Sequence, residues 1–192
     1  MNCKILSLIS ILILLTSCKE YWLSRELERF MGQAIAIPEN LTVISDRNII
    51  SLSDFEKETN ALVILYDSLE CSSCQIGHLY DYLWSYEKLD SIQGCQLMTI
   101  FSPRQEEYDE VVKQLMILNF PYPIYVDMSG SFRKINKCIP DDRSFHSFLI
   151  DKNGKPVFVG NPMSGPRMME LFMEAVSNLE ANGGVYVDPE KR

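Results

Sequence analysis

One stretch constrains this chain more than any other: an apolar run that leads directly into a Cys-x-x-Cys pair. Residues 62–66 are apolar throughout, which predicts a strand buried on both faces of a sheet. Cys71-Ser-Ser-Cys74 follows, and apolar residues then recur on one helical face at Ile76, Leu79, Tyr80, Leu83 and Tyr86. The sequence therefore predicts a core strand, a cysteine pair and a helix in immediate succession.

The placement of the two cysteines at the start of that helix has a chemical consequence. A helix N-terminus presents unpaired backbone N–H groups and the positive end of the helix dipole, and both favour a thiolate on Cys71. Cys-x-x-Cys pairs also bind zinc, but a pair between a buried strand and a helix favours redox chemistry.

The N-terminus has the pattern of an export signal. Lys4 is followed by an apolar segment, 5–15, that is too short to span a bilayer as a helix. This segment ends in Leu15-Thr16-Ser17-Cys18, which resembles the lipobox of bacterial lipoproteins. The resemblance implies that 1–17 is a signal peptide and that Cys18 is lipidated and holds the protein on the lipid bilayer, in the bacterial cell envelope outside the cytoplasm. The alternative is an ordinary secretory signal with a chance cysteine.

The rest of the chain is long enough for one domain. We expect a membrane-proximal linker with a short helix at 18–36, a domain at 37–180 and a polar tail at 181–192. The 26 acidic and 18 basic residues give a formal net charge of −8, with no cluster of Lys or Arg, which argues against nucleic acid as a partner. No cofactor is predicted.

Further elements follow from the same kind of pattern. Strands are predicted at 95–101 and 122–127, and a helix between them with Ser102 as its N-cap. Asn153-Gly154 between two apolar runs predicts a hairpin, with Pro156 placing the second arm at a sheet edge. A last helix is predicted up to Asn182. The order indicates an α/β fold.

In this order the chain resembles the thioredoxin-like redoxins, a group that includes membrane-tethered thiol–disulfide oxidoreductases of the TlpA and ResA kind. The resemblance covers 37–179 and rests on Ser51–Phe55, the Cys71–Cys74 pair, the 122–136 insertion and the 148–154 hairpin. It implies a three-layer α/β/α sandwich around a mixed central sheet.

The resemblance also implies a reaction. Cys71 would attack the disulfide of a protein substrate, and Cys74 would resolve the mixed disulfide. An electron donor in the membrane would then reduce the Cys71–Cys74 pair again.

Three positions depart from the family pattern. Glu70 stands where tryptophan is usual; its charge would disfavour the Cys71 thiolate and favour a reductase, unless Glu70 faces solvent. Phe145 replaces the cis-proline, so a trans peptide is expected there, with Phe145 and His146 as the wall opposite the cysteines. Leu65 replaces a buried acid, which leaves no obvious proton acceptor for Cys74.

Three other functions stay open. Cys71, Cys74, His78 and His146 could hold copper or zinc, as in the Sco-like copper chaperones, although those use a Cys-x-x-x-Cys spacing. The domain could be a non-catalytic binding module with a structural disulfide. A peroxidase is disfavoured, because Cys74 fits disulfide exchange better.

Two further cysteines remain in the expected domain. Cys95 opens a predicted strand and is interpreted as a small buried hydrophobic residue. Cys138 lies in a predicted loop, where it is either inert or a third redox thiol.

Overall fold

The computed structural model describes residues 21–52 and 60–189. A seven-stranded sheet runs through the molecule in the order β2-β1-β5-β4-β3-β6-β7. Its strands are β1 (Thr42–Ser45), β2 (Asn48–Ser51), β3 (Ala61–Tyr66), β4 (Gln96–Phe101), β5 (Ile124–Val126), β6 (Ser147–Ile150) and β7 (Pro156–Val159).

The sheet is mixed. β3, β4 and β5 are parallel, in a register that pairs Ala61 with Gln96 and Tyr66 with Phe101. β6 and β7 continue it antiparallel on one side, and β1 and β2 do so on the other. β3 is a central strand flanked by β4 and β6, which agrees with the apolar run that predicted it.

Helices cover both faces of the sheet. Their bounds are α1 (21–31), α2 (Ser72–His78), α3 (Leu83–Asp90), α4 (Tyr108–Leu118), α5 (Ser131–Ile135) and α6 (Pro166–Ala181). α1 and α5 pack through Phe30 and Phe132 against one face, together with Val63. The other four helices pack on the opposite face, where Leu62 contacts the core around Phe172. The predicted thioredoxin-like three-layer α/β/α sandwich around a mixed sheet is confirmed.

Two predicted helices differ in detail. The helix after Cys74 is interrupted by a 3-10 turn, Leu79–Tyr82, between α2 and α3. The prediction of Ser102 as a helix N-cap is wrong: a 3-10 turn begins at Gln105 and α4 at Tyr108. Instead, the Ser102 hydroxyl donates to the buried Asp127 carboxylate at 3.2 Å, a contact from a distant strand end.

The predicted hairpin joins β6 and β7, and β7 lies at the sheet edge. Gly154 has a φ of +78°, and a Cβ there would overlap the Ile35 carbonyl. Ile35 donates its N–H to the Gly154 carbonyl at 2.8 Å. Phe30 and Ile35 precede the predicted domain start at 37, yet both are part of the core. After α6, Val187 donates its N–H to Asn178 at 2.9 Å.

The predicted signal peptide at 1–17 and lipidated Cys18 lie outside the described residues, as does most of the Ser51–Phe55 motif. Within 21–52 and 60–189, no helix combines the length and apolar character needed to cross a bilayer.

Candidate active site

Cys71 and Cys74 form a disulfide at the start of α2. Cys71 is the N-cap residue, and its Sγ accepts the N–H of Cys74 at 3.3 Å. Both cysteines are exposed. The predicted position at a helix N-terminus is therefore found, and the disulfide is open to solvent.

The turn between β3 and α2 holds the pair in place. Asp67 Oδ1 accepts the Leu69 N–H at 2.9 Å, and the Asp67 carbonyl accepts the Glu70 N–H at 3.0 Å. An aspartate that bonds the backbone two residues on is a typical turn former. The chain therefore leaves the core strand in a fixed turn and reaches solvent at Cys71.

A pocket of about 390 Å³ opens beside Cys71. One side is formed by the 69–73 turn, and the other comes from 104–111 at the start of α4. Its rim carries the carboxylates of Glu106, Glu107 and Glu110 and a single guanidinium, that of Arg104. The rim is therefore acidic and favours the approach of cationic molecules over anionic ones.

Glu70 as a residue is half-buried, but its side chain is turned away from solvent, so the interpretation of a solvent-facing Glu70 carboxylate is wrong. Its side chain is 7% exposed. Oε2 accepts a hydrogen bond from Gln75 Nε2 at 3.3 Å and lies 3.8 Å from Arg143 Nε. Oε1 lies 3.6 Å from His146 Nδ1. These partners come from α2 and from the segment before β6, so the carboxylate of Glu70 has contacts with two separate parts of the chain.

Phe145 does not form a wall opposite the cysteines. Its ring is 2% exposed and packs edge-on against Phe30, with ring centroids 6.1 Å apart. The peptide before it is trans, like every other peptide among residues 21–52 and 60–189. The pocket beside Cys71 is lined by neither Phe145 nor His146, because the 3-10 turn at 143–145 directs the phenyl ring into the core.

The four-ligand metal set is not assembled. His78 is exposed and its Nδ1 pairs with Asp81 Oδ2 at 2.7 Å. His146 is buried, and its ring nitrogens face Asp67, Glu70 and the Pro140 carbonyl. Cys71 and Cys74 bond to each other. The alternative of a copper or zinc site on these four residues therefore has no support from this geometry, since His78 and His146 lie in different surroundings.

A cluster of buried polar side chains lies behind the disulfide, and the sequence interpretation missed it. In the part of the chain that the structure describes, one group of three potential ligand side chains has atoms within 4.8 Å of one another: Asp67, Glu70 and His146. Leu65 is buried as expected, but Asp67, in the turn directly after β3, supplies an acid that is 2% exposed. Alternation along a strand places 65 and 67 on one side, and this signal was available in the sequence.

The two remaining thiols lie elsewhere. Cys95 is buried and precedes β4, as interpreted, and its Sγ–H donates to the Gln96 carbonyl. Cys138 is half-buried and packs against the core formed by α1, α5 and the sheet.

No protein-family model and no curated protein matches the chain. Solved structures similar to it include an uncharacterised thioredoxin-like protein from Porphyromonas gingivalis, with 18% identity over 79% of this chain and 96% of that one and a TM-score of 0.46. A candidate thiol:disulfide interchange protein DsbE from Chlorobium tepidum shares 15% identity over 75% and 97%, with a TM-score of 0.48. StoA from Bacillus subtilis shares 20% identity over 70% of this chain and 99% of its own, with a TM-score of 0.44.

Proposed function

We propose that this protein is a thiol–disulfide oxidoreductase that reduces disulfides in other proteins outside the cytoplasm. The observation that carries the proposal is the exposed Cys71–Cys74 pair at the N-terminus of α2, beside an open pocket. A purely structural disulfide over so short a loop would add only about 2 kcal/mol through chain entropy. Such a pair does not need solvent access, whereas an exchange centre does.

The reaction starts from the reduced pair. The Cys71 thiolate, with the Cys74 N–H directed at its sulfur, attacks one sulfur of the substrate disulfide. That bond breaks, a mixed disulfide forms, and the first substrate sulfur leaves as a thiolate and takes up a proton. Cys74 then loses its proton and attacks Cys71, which releases the second substrate thiol. Two electrons and two protons pass to the substrate, and the Cys71–Cys74 disulfide remains.

Glu70 supports the direction of this exchange. Its carboxylate precedes Cys71 directly and is buried, where water screens its charge poorly. A negative charge beside Cys71 disfavours the thiolate and therefore the reduced state, which makes the dithiol the better electron donor.

The setting is part of the same proposal. Residues 1–17 would be a signal peptide, and Cys18 would carry the lipid that holds the domain on the outer side of a bacterial membrane. The expected division into a linker at 18–36, a domain at 37–180 and a tail at 181–192 would shift at its first boundary, because Phe30 and Ile35 already belong to the core of the domain. A dithiol donor in the membrane would reduce Cys71–Cys74 after each turnover.

A trapping experiment tests the proposal. In the Cys74→Ser variant, Cys71 can still attack a protein disulfide, but no second thiol resolves the mixed disulfide. A covalent complex with a disulfide-containing protein such as insulin should therefore accumulate, and dithiothreitol should separate its two proteins by reducing the mixed disulfide. Cys71→Ser is the matched control and should trap nothing. If both variants leave insulin unmodified, the domain is a binding module with an inert disulfide.

A further inference from the structure

Next to the redox pair in sequence and fold, three buried side chains each offer one potential ligand atom, and these atoms lie within 4.8 Å of one another. They are Asp67, Glu70 and His146, with side-chain exposures of 3%, 7% and 5%. In each residue, the other polar atom already has a partner in the protein.

His146 shows this most clearly. Its Nε2 lies 3.1 Å from the Pro140 carbonyl oxygen, which can only accept a hydrogen bond, so Nε2 carries the hydrogen. Nδ1 is then left with its lone pair, and this atom is buried with no hydrogen-bond partner. It lies 3.6 Å from Glu70 Oε1. Leaving such a buried atom without a partner costs free energy, which a bound cation would offset.

The carboxylates have the same arrangement. Asp67 uses Oδ1 to accept the Leu69 N–H, and its Oδ2 lies 3.8 Å from His146 Nε2, on the side of the ring that faces Pro140. Glu70 uses Oε2 to accept from Gln75, and its Oε1 faces His146. The contacts of Oδ1, Oε2 and Nε2 fix the orientation of all three side chains, as the outer hydrogen bonds around a metal site do.

Two guanidinium groups lie near the cluster without occupying it. Arg133 Nε is 3.7 Å from Asp67 Oδ2, and Arg143 Nε is 3.8 Å from Glu70 Oε2, both beyond hydrogen-bond length. Arg133 donates instead to the Ile139 carbonyl at 2.7 Å and pairs with Asp141. Arg143 is 65% exposed, so water screens its charge.

We propose that Asp67, Glu70 and His146 bind one divalent first-row transition-metal cation through Oδ2, Oε1 and Nδ1. Zinc bonds to nitrogen and oxygen are about 2.0–2.2 Å, which sets neighbouring ligand atoms about 3.4 Å apart in a tetrahedral site, close to the observed separation of Nδ1 and Oε1. One imidazole with two carboxylates suits Zn²⁺, Mn²⁺ or Fe²⁺, whereas Ca²⁺ prefers oxygen alone and Cu⁺ prefers thiolates.

The test uses Zn²⁺ and the full chain, purified in detergent with Cys71–Cys74 oxidised. Replacing Cys3, Cys18 and Cys138 by serine leaves the buried Cys95 as the remaining cysteine outside the disulfide, so sulfur ligation at the surface is excluded. Isothermal titration calorimetry should give one equivalent of Zn²⁺ bound with a Kd of about 10 μM or tighter. Co²⁺ in the same protein should give a visible spectrum without a sulfur-to-metal charge-transfer band.

Two variants and a control decide the assignment. Glu70→Gln keeps the shape of the side chain and should weaken Zn²⁺ binding at least about tenfold, as should His146→Gln. His78→Ala removes the exposed histidine and should leave binding unchanged. Binding that needs His78, or no binding at or below about 100 μM, overturns the proposal. The oxidised protein performs no exchange, so this result is independent of the proposed reaction.

Discussion

The buried acids of this protein fall into two groups that the fold treats differently. Asp127 and Asp151 lie in loops, and their oxygens accept backbone N–H groups: Asp127 from Ser131 and Phe132 at 2.9 and 2.8 Å, and Asp151 from Asn153 and Lys155 at 2.8 and 2.9 Å. Asp67 accepts one backbone N–H, from Leu69, and Glu70 accepts only from the side-chain amide of Gln75. Both carboxylates face His146 across 3.6–3.8 Å.

The difference separates structural from functional use of a buried charge. An acid that accepts several N–H bonds is satisfied by its own loop and holds that loop in shape. An acid with an open oxygen retains electrostatic influence on whatever lies beside it. Glu70 lies beside Cys71, whereas Asp127 and Asp151 lie at turns that contain no cysteine. Four predictions test this contrast.

The largest effect should come from the cysteine pair itself. Cys71→Ser should lower the rate of insulin reduction at least about 1,000-fold, because the nucleophile is lost. Its free energy of unfolding should fall by no more than about 2 kcal/mol, since the disulfide closes a very short loop. Cys138→Ser, a thiol packed against the core, is the control and should keep full activity. If Cys71→Ser and Cys138→Ser lose comparable activity, Cys71 is not the nucleophile.

The second effect concerns stability. Asp127→Ala should lower the free energy of unfolding by about 3 kcal/mol in urea, since the N–H groups at the start of α5 and the Ser102 hydroxyl lose their acceptor. The exposed Asp109→Ala should change it by less than about 0.5 kcal/mol. A small effect at Asp127 would contradict its assignment as a structural acid.

Glu70→Gln should show the opposite pattern from Asp127→Ala: a small change in stability and a measurable change in reduction potential. Its stability should change by less than about 1 kcal/mol, because its ion pairs are long and the amide keeps the shape. The reduction potential of Cys71–Cys74, measured with EDTA present, should rise by about 20 mV as the thiolate becomes easier to form. Glu106→Gln, on the rim of the pocket, should produce a smaller shift because its charge is exposed. Equal shifts would mean that burial of Glu70 adds nothing.

The smallest effect should come from the acidic rim. The reduced protein should react about three to ten times faster with cationic cystamine than with anionic oxidised glutathione at low salt. The ratio should approach one in about 1 M salt, where the screening length is about 3 Å. A variant with Glu106→Gln and Glu107→Gln should lower the ratio in stopped-flow measurements. If the ratio of the two reaction rates changes neither with salt nor with these substitutions, the pocket is excluded as the route to Cys71.

Much of the fold could be predicted, because its signals are local. The apolar run of β3, the helical spacing after Cys74 and the Asn153-Gly154 turn each lie within a short window of sequence, and all three predicted their elements. The break between α2 and α3 could not be predicted, since apolar spacing continues through it. Ser102 has the sequence of an N-cap, but the distant Asp127 competes for its hydroxyl.

The site was harder to predict because its partners are distant in sequence. The position of Cys71 depends on the adjoining turn and helix and was predicted correctly. The burial of Glu70 depends on His146 and Arg143, more than seventy residues further along the chain. The short turn at 143–145 also directs Phe145 into the core, which a residue-by-residue alignment with a cis-proline could not indicate.

The central claim, that Cys71–Cys74 is a redox couple rather than a staple, is tested most directly by equilibrating the folded protein in dithiothreitol buffers of graded potential. Alkylation and mass spectrometry then give the fraction reduced at each potential. Our account predicts reversible reduction without unfolding at a potential above about −300 mV, the range of exchange centres. A pair that stays oxidised below that potential until the protein unfolds would contradict it.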